Sequence, residues 1–365
     1  MEYRIWPDAP SLPPGPPPLP ESHHRPQFSG SAREFFGIWF VNLLLSILTL
    51  GIYSAWAKVR TERYFYSNTR LAGAAFEYIA DPIAILKGRL IAYAIVIVLV
   101  LSSHFFKLLY LALIMLVFVA MPAFIVWSLR FRARNSLWRG LGFRFDQPLG
   151  DGYMPFFLWK ILSSISLGLL SPVARMKQQE FVVEGHRYGV KRFRFQGELG
   201  DYYKEFLASL ALGVAVMVGI GVLTAVIGFF VRQATGINGS DVLITSLFIV
   251  VGAFYLLFFV LLVFLRVRYT NLLWGNAALG PHRFESTLRA REVIWIYASN
   301  ALAIVFSLGL AVPWAMIRLA RYRARHWTLV AMGDLDDFVA SSDMRVRATG
   351  AELVDALDTG FDFGL

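Results

Sequence analysis

The sequence predicts an all-α integral membrane protein with small cytoplasmic β units, built from two transmembrane hairpins and three repeated short, re-entrant membrane segments. Three observations predict it. Apolar runs are long, cations gather at their ends, and one phrase is written three times.

The composition sets the class. Of 365 residues 57% are hydrophobic and only 16% charged, with a mean hydropathy of +0.55. A soluble domain carries about a quarter charged residues. Apolar runs cover 35–57, 90–106, 108–129, 153–173, 206–231, 242–265 and 293–317. Crossing hydrocarbon takes about 20 such residues. The chain has no cysteine, which excludes disulfides and thiolate metal sites. A net charge of +10 would suggest nucleic acid in a soluble protein, but these cations hug the ends of apolar runs, so topology explains them and no nucleic-acid partner is expected.

The head comes first along the chain. Residues 1–27 hold nine prolines, PPGPPPLP among them, and read as a disordered spacer. The membrane domain follows over 28–332. The tail over 333–365 turns acidic and reads as a mobile, solvated segment.

Cations then set topology. The stretches 58–89, 130–152, 174–205 and 266–292 carry six, five, seven and five Lys/Arg, whereas Lys107 and Arg232 stand alone in the other two connections. The positive-inside rule places the rich stretches and the C-terminus in the cytoplasm. Segments 90–106/108–129 and 206–231/242–265 then form clean hairpins. The other three have basic stretches on both sides. Either they turn back within the membrane, or seven simple crossings violate the charge bias.

Those three segments carry the repeated phrase: TLGIYSAWAKVR at Thr49–Arg60, SLGLLSPVARMK at Ser166–Lys177 and SLGLAVPWAMIR at Ser307–Arg318. Gly51, Gly168 and Gly309 sit where a helix would break, and Pro172 and Pro313 favour the same break. The expected reading is three re-entrant elements. After the membrane segments come NTRLAGAAFEY, NSLWRGLGFRF, EGHRYGVKRFRF and NLLWGNAAL. Their aromatic residues around Gly and Asn predict short strands and turns.

Candidate sites are few. A polar group lies at similar depth in each phrase-bearing segment: Asn42, Lys160 and Asn300. If the segments gather round an axis, the three line a polar cavity; otherwise the asparagines bond a neighbouring helix and Lys160 reaches the headgroups. Lys58, Arg60, Arg130, Arg175, Lys177, Arg266 and Arg318 are expected to contact the bilayer's anionic headgroups. Asn68, Asn135 and Asn271 read as turn residues. No metal cluster, Walker loop, dinucleotide fingerprint or GxSxG elbow occurs, so no catalytic residue and no cofactor is expected.

The run NLLLSILTLGIYSAWAKVRTERYFYSNTRLAGAAFEY with ILKGRLIAY after it, and the FSG at 28–30 and FQG at 195–197, resemble the YjgN-like family of bacterial inner-membrane proteins. The resemblance covers 28–332 and is strongest over 36–93. It implies an inner-membrane location and a domain of unknown function, with no established site residues. The residues themselves leave two readings. One is a transporter- or channel-like protein for a small solute or ion. The other is a non-catalytic scaffold or envelope-homeostasis protein with a cytoplasmic partner. No particular protein partner or oligomeric state follows from them.

Overall fold

The structure, a computed structural model, describes residues 20–236, 239–336 and 338–340. Its organising element is a sheet of eleven strands, where the sequence predicts separate small β units. The chain is therefore not all-α. Lone hairpins of three- and five-residue strands are marginal in water, and their open edges pair with the next unit instead.

The order along the chain is regular among the described residues. Strands β1 (Glu21–His24) and β2 (Gln27–Phe28) lead into α1 (Ala32–Leu48) and α2 (Ser54–Ser67). Then come β3 (Thr69–Leu71), β4 (Ala74–Tyr78), α3 (Pro82–Phe105) and α4 (Lys107–Arg134). Strands β5 (Ser136–Trp138) and β6 (Leu141–Phe145) precede a π-helical stretch at Met154–Leu158, α5 (Trp159–Ile165) and α6 (Ser171–Gly185). Strands β7 (His186–Tyr188) and β8 (Lys191–Phe195) precede α7 (Leu199–Thr235) and α8 (Gly239–Gly275). Last come β9 (Ala277–Leu279), β10 (His282–Ser286), α9 (Ala290–Phe306), α10 (Val312–Arg325) and β11 (Trp327–Met332).

Every pairing is antiparallel, in the order β1-β11-β10-β9-β8-β7-β6-β5-β4-β3-β2. Two edges remain, β1 and β2, and only Arg25 and Pro26 separate them. One extended N-terminal segment thus holds β11 with its first half and β3 with its second, curling the sheet into a ring. The antiparallel order has a consequence. All the tight turns (Ala72–Gly73, Arg139–Gly140, Gly189–Val190, Gly280–Pro281) lie on one rim, and all the helical pairs leave from and return to the other. The turns use positive φ, at 47° and 80° in the first and 50° and 76° in the second, the primed geometry that matches strand twist.

Five joints repeat one bond on the helix rim. The N–H of Ser29, Ile79, Asp146, Gln196 and Thr287 donates to the carbonyl of Asn68, Asn135, Gly185, Asn276 and His326, at 2.9–3.1 Å. Asn68, Asn135 and Asn276 also close the ends of α2, α4 and α8, their amides donating to the carbonyl four residues back at 2.8–2.9 Å. Asn271 instead braces the β10–α9 corner: its Oδ1 accepts from Ser286 and the Leu288 N–H.

The two long hairpins are α3/α4 and α7/α8. All four helices are long and apolar enough to cross a membrane, and little of them is covered by protein. Helices α7 and α8 have 37 residues each, about 55 Å at 1.5 Å per residue, so they outreach the hydrocarbon. The three phrase-bearing segments are helical pairs, α1/α2, α5/α6 and α9/α10, each reversing at the phrase. In each, the helix ends in a Schellman pattern. The N–H of Gly51, Gly168 and Gly309 bonds the carbonyl of Ser46, Ser163 and Ile304 at 2.7–2.8 Å, and the preceding leucine bonds three residues back. The hydroxyl of Thr49, Ser166 and Ser307 then accepts the N–H four residues on, at 2.9–3.0 Å, starting the returning helix.

Two expectations at the termini are corrected. Residues 21–27, expected to lie in the disordered head, are ordered through β1 and into β2, because their N–H and C=O groups complete the sheet edges. The rest of the head lies outside the described residues. The acidic tail does not begin solvated. Leu335 is 7% exposed inside the ring core, and Phe338 packs edge-on against His282 at 4.4 Å. Asp336 pairs with Arg139. The remainder of the tail lies outside the described residues.

Candidate functional site

Short strands curled into a ring this wide leave space inside. Eight staves give an interior that side chains just fill, and more staves widen it. Here the ring encloses a cavity of about 700 Å³, to which every strand from β2 to β11 contributes. Its wall is aromatic: Phe28, Phe76, Trp138, Phe143, Tyr188, Phe193, Phe284 and Trp327. The alternation of strands aims these rings inward. Phe284 stacks on Phe193 at 5.8 Å and on Trp327 at 5.5 Å, and Tyr188 packs on Trp138 at 5.7 Å.

The two ends differ. On the turn rim Leu335 and Phe338 of the C-terminal segment close the cavity. On the helix rim it is bounded by Val263, Val267 and Thr270 of α8, by Val293 and Tyr297 of α9, and by Leu319 and Ala320 of α10. Arg266 and Arg323, both exposed, stand at that end.

The polar groups in the wall are sparse and incompletely satisfied. The Tyr188 hydroxyl donates to the Trp138 carbonyl at 2.8 Å, and burial pushes its pKa up. His282 accepts the Met332 N–H on Nδ1 at 3.2 Å, which leaves its neutral ring protonated at Nε2. Burial holds its pKa below the ordinary value. Among the described residues, the buried Nε2 of His282 and the indole nitrogens of Trp138 and Trp327 find no hydrogen-bond partner. A buried donor left unmade costs about 1–3 kcal/mol, so three in one wall mark a place where an acceptor is wanted. Nothing in the sequence flagged this chamber. Its residues sit in ten different strands, and only ring closure makes them neighbours.

The candidates read from the sequence fall elsewhere. Asn42 and Asn300 are buried inside their own helical pairs. Each donates from Nδ2 to the carbonyl fifteen residues on, Ala57 and Ala315, at 3.4 Å. Asn300 also accepts from Arg318 at 3.0 Å. Lys160 is exposed on α5. None of the three lines the chamber, nor the outer groove between α9 and α10. Among the expected headgroup cations, Arg130 donates to the Gln147 carbonyl at 2.7 Å and Lys177 pairs with Glu180 at 2.7 Å. Arg175 is partly buried, and desolvation lowers its pKa. Lys58 and Arg60 are exposed on α2, Arg266 reaches the chamber, and Arg318 lines an outer groove.

Long apolar helices rising as hairpins from one rim of a sheet ring define a multi-pass membrane protein. The chain belongs to the family described as bacterial protein of unknown function (DUF898), whose profile matches residues 23–356. It is similar to the inner membrane protein YjgN of Salmonella typhimurium, 26% identical over 88% of this chain and 91% of the relative. It is 30% identical to the YjgN of Escherichia coli K12 over 40% of this chain and 37% of that one. No solved structure matches it.

Proposed function

We propose that this protein is a non-catalytic membrane binding protein that takes an amphipathic small molecule from the bilayer into its sheet ring. The observation that carries the reading is the aromatic chamber with three buried N–H groups lacking acceptors. A cavity of this size and apolarity with a few convergent polar groups is the usual form of a small-molecule site. Its helix end lies between α8, α9 and α10, the side from which a lipid-dissolved molecule arrives. On this reading the membrane is the inner membrane for which the relatives are named, and the ring and basic stretches face the cytoplasm on the cation bias alone. Four helical pairs are each followed by a strand pair, and the fifth, α9/α10, by β11, which pairs with β1 from the N-terminal segment; the three short pairs dip into one leaflet.

Asn300 is bonded within its own helical pair through both amide atoms, whereas Asn42 bonds there through Nδ2 alone and its buried Oδ1 has no partner among the described residues; neither asparagine lines the chamber. The chamber is therefore a better candidate than the path expected among Asn42, Lys160 and Asn300. A carrier role would add movement of the same molecule across the bilayer; flux into vesicles separates that from binding alone.

The test is extraction. Protein purified in mild detergent is expected to carry an organic molecule detectable by mass spectrometry, and Leu329→Trp, which fills the chamber, is expected to lose it. A chamber found empty in both, with a fluorescent fatty-acid probe failing to bind either, would sink the reading. Stoichiometric crosslinking of a cytoplasmic protein to such an empty ring would favour the scaffold reading instead.

A further inference from the structure

A second site lies outside the ring and shares only Tyr322 with the lining of the chamber. Helices α9 and α10 form a groove of about 740 Å³ whose wall includes Arg291, Arg318, Arg321, Arg325, Trp295 and Trp314. The four arginines face one acid, Glu292, for a net formal charge of +3. Glu292 is already engaged, by Arg289 at 3.3 Å and His326 at 3.7 Å.

The groove is ordered along its length. Reading α10 from the ring outward gives Arg325, Arg321 and Arg318, then Trp314, then the exposed Leu310 and Leu308. Reading α9 the same way gives Arg291, then Trp295, which is 67% exposed, then exposed Leu302, Val305 and Phe306. Cation, indole, aliphatic is the order of phosphate, interface and acyl chain in a leaflet.

The cations near the base are also held in place. Arg318 donates to the Ser299 hydroxyl at 2.6 Å and to Asn300, and its guanidinium lies 5.1 Å from the Trp314 ring centre. Arg321 donates to the Gly30 carbonyl at 2.8 Å. Arg291 and Arg325 are exposed and have no partner among the described residues. We propose that this groove binds one anionic glycerophospholipid, its phosphate on Arg291, Arg321 and Arg325 and its glycerol backbone between Trp295 and Trp314.

The test uses the full chain, delipidated in detergent and titrated with phosphatidylglycerol or phosphatidylethanolamine of matched acyl chains, read by native mass spectrometry. Phosphatidylglycerol is expected to bind about tenfold more tightly. Arg291→Gln with Arg325→Gln, which breaks no internal bond of the groove, is expected to remove about tenfold of that preference. Arg192→Gln with Arg194→Gln, on exposed positions of β8, leaves it intact. Phosphatidylglycerol brominated on its acyl chains quenches tryptophan fluorescence, and Trp295→Phe reduces the quench. Equal binding of the two lipids overturns the proposal, as does full preference in the Arg291/Arg325 variant. Displacement by millimolar inorganic phosphate makes it a free-phosphate site and overturns the lipid assignment.

Discussion

Leu50, Leu167 and Leu308 sit at φ of 51–52°, each followed by a glycine at 90–93°. Left-handed backbone is unfavourable for a leucine, and a residue such as Gly or Asn is the usual choice there. Yet all three leucines are 93–95% exposed. In water nothing would compensate. In hydrocarbon an exposed leucine is solvated, and the reversal satisfies its own backbone groups through the glycine N–H and the hydroxyl of the phrase. The glycines have no such latitude. Nothing lies within 4 Å of a Cβ placed on Gly168, so the conformation alone is the obstacle there. Gly168→Ala is expected to destabilise by about 1–2 kcal/mol, read as a lower midpoint of thermal unfolding in detergent. An unchanged midpoint would mean the turn has another allowed shape.

At the scale of the element, the helical pair is the unit that resolves the charge conflict. Segments flanked on both sides by cations need not strand them across a membrane, because each pair leaves the ring rim and comes back to it. Helix α1 has 17 residues, about 26 Å of rise, short of a full crossing of roughly 30 Å. Since the chain has no cysteine, single substitutions report cleanly. In intact and inverted vesicles, Leu50→Cys, Leu167→Cys and Leu308→Cys are expected to resist a membrane-impermeant maleimide from both sides. Lys191→Cys, beside a tight turn, is expected to react from the cytoplasmic side alone. Labelling of Leu167→Cys from the periplasm would require a full crossing.

At the scale of the whole molecule, the ring depends on contacts between residues far apart in the chain. The C-terminal segment closes its turn rim through Leu335 and Phe338, while Gly333 donates to the Pro20 carbonyl at 2.9 Å. A Cβ on Gly280 would stand 3.3 Å from the Phe338 ring, at a φ of 60° that side chains rarely adopt. Gly280→Ala is therefore expected to loosen the segment and raise proteolysis after residue 333. Asp336→Asn is expected to do little, because Asp336 is exposed and such pairs are weak. Equal proteolysis of Gly280→Ala and the wild-type chain would mean that the segment is held without Phe338.

Local patterning made part of this readable. The apolar runs announced α3, α4, α7 and α8, since hydrocarbon selects for length and hydropathy over one continuous stretch. The phrase announced three breaks because its glycine, its hydroxyl and the carbonyls they bond all lie within a few residues. Asn68 and Asn135 were legible as turn chemistry for the same reason. The chamber was not legible: Phe28, Trp138 and Trp327 become neighbours only after ten strands pair in order. For Asn42 and Asn300 the sequence left two readings open, a shared cavity or a bond to a neighbouring helix, because equal depth along a segment does not reveal which face turns toward a partner helix; the structure shows each bonding its paired helix.

Membrane class and the sites of chain reversal thus belong to the sequence alone, because each is decided by interactions over a few neighbouring residues or by the solvent. The ring, its aromatic chamber and the docked C-terminal segment belong to the tertiary structure. Each requires strand edges or side chains dozens to hundreds of residues apart to meet, and no local preference specifies such a pairing.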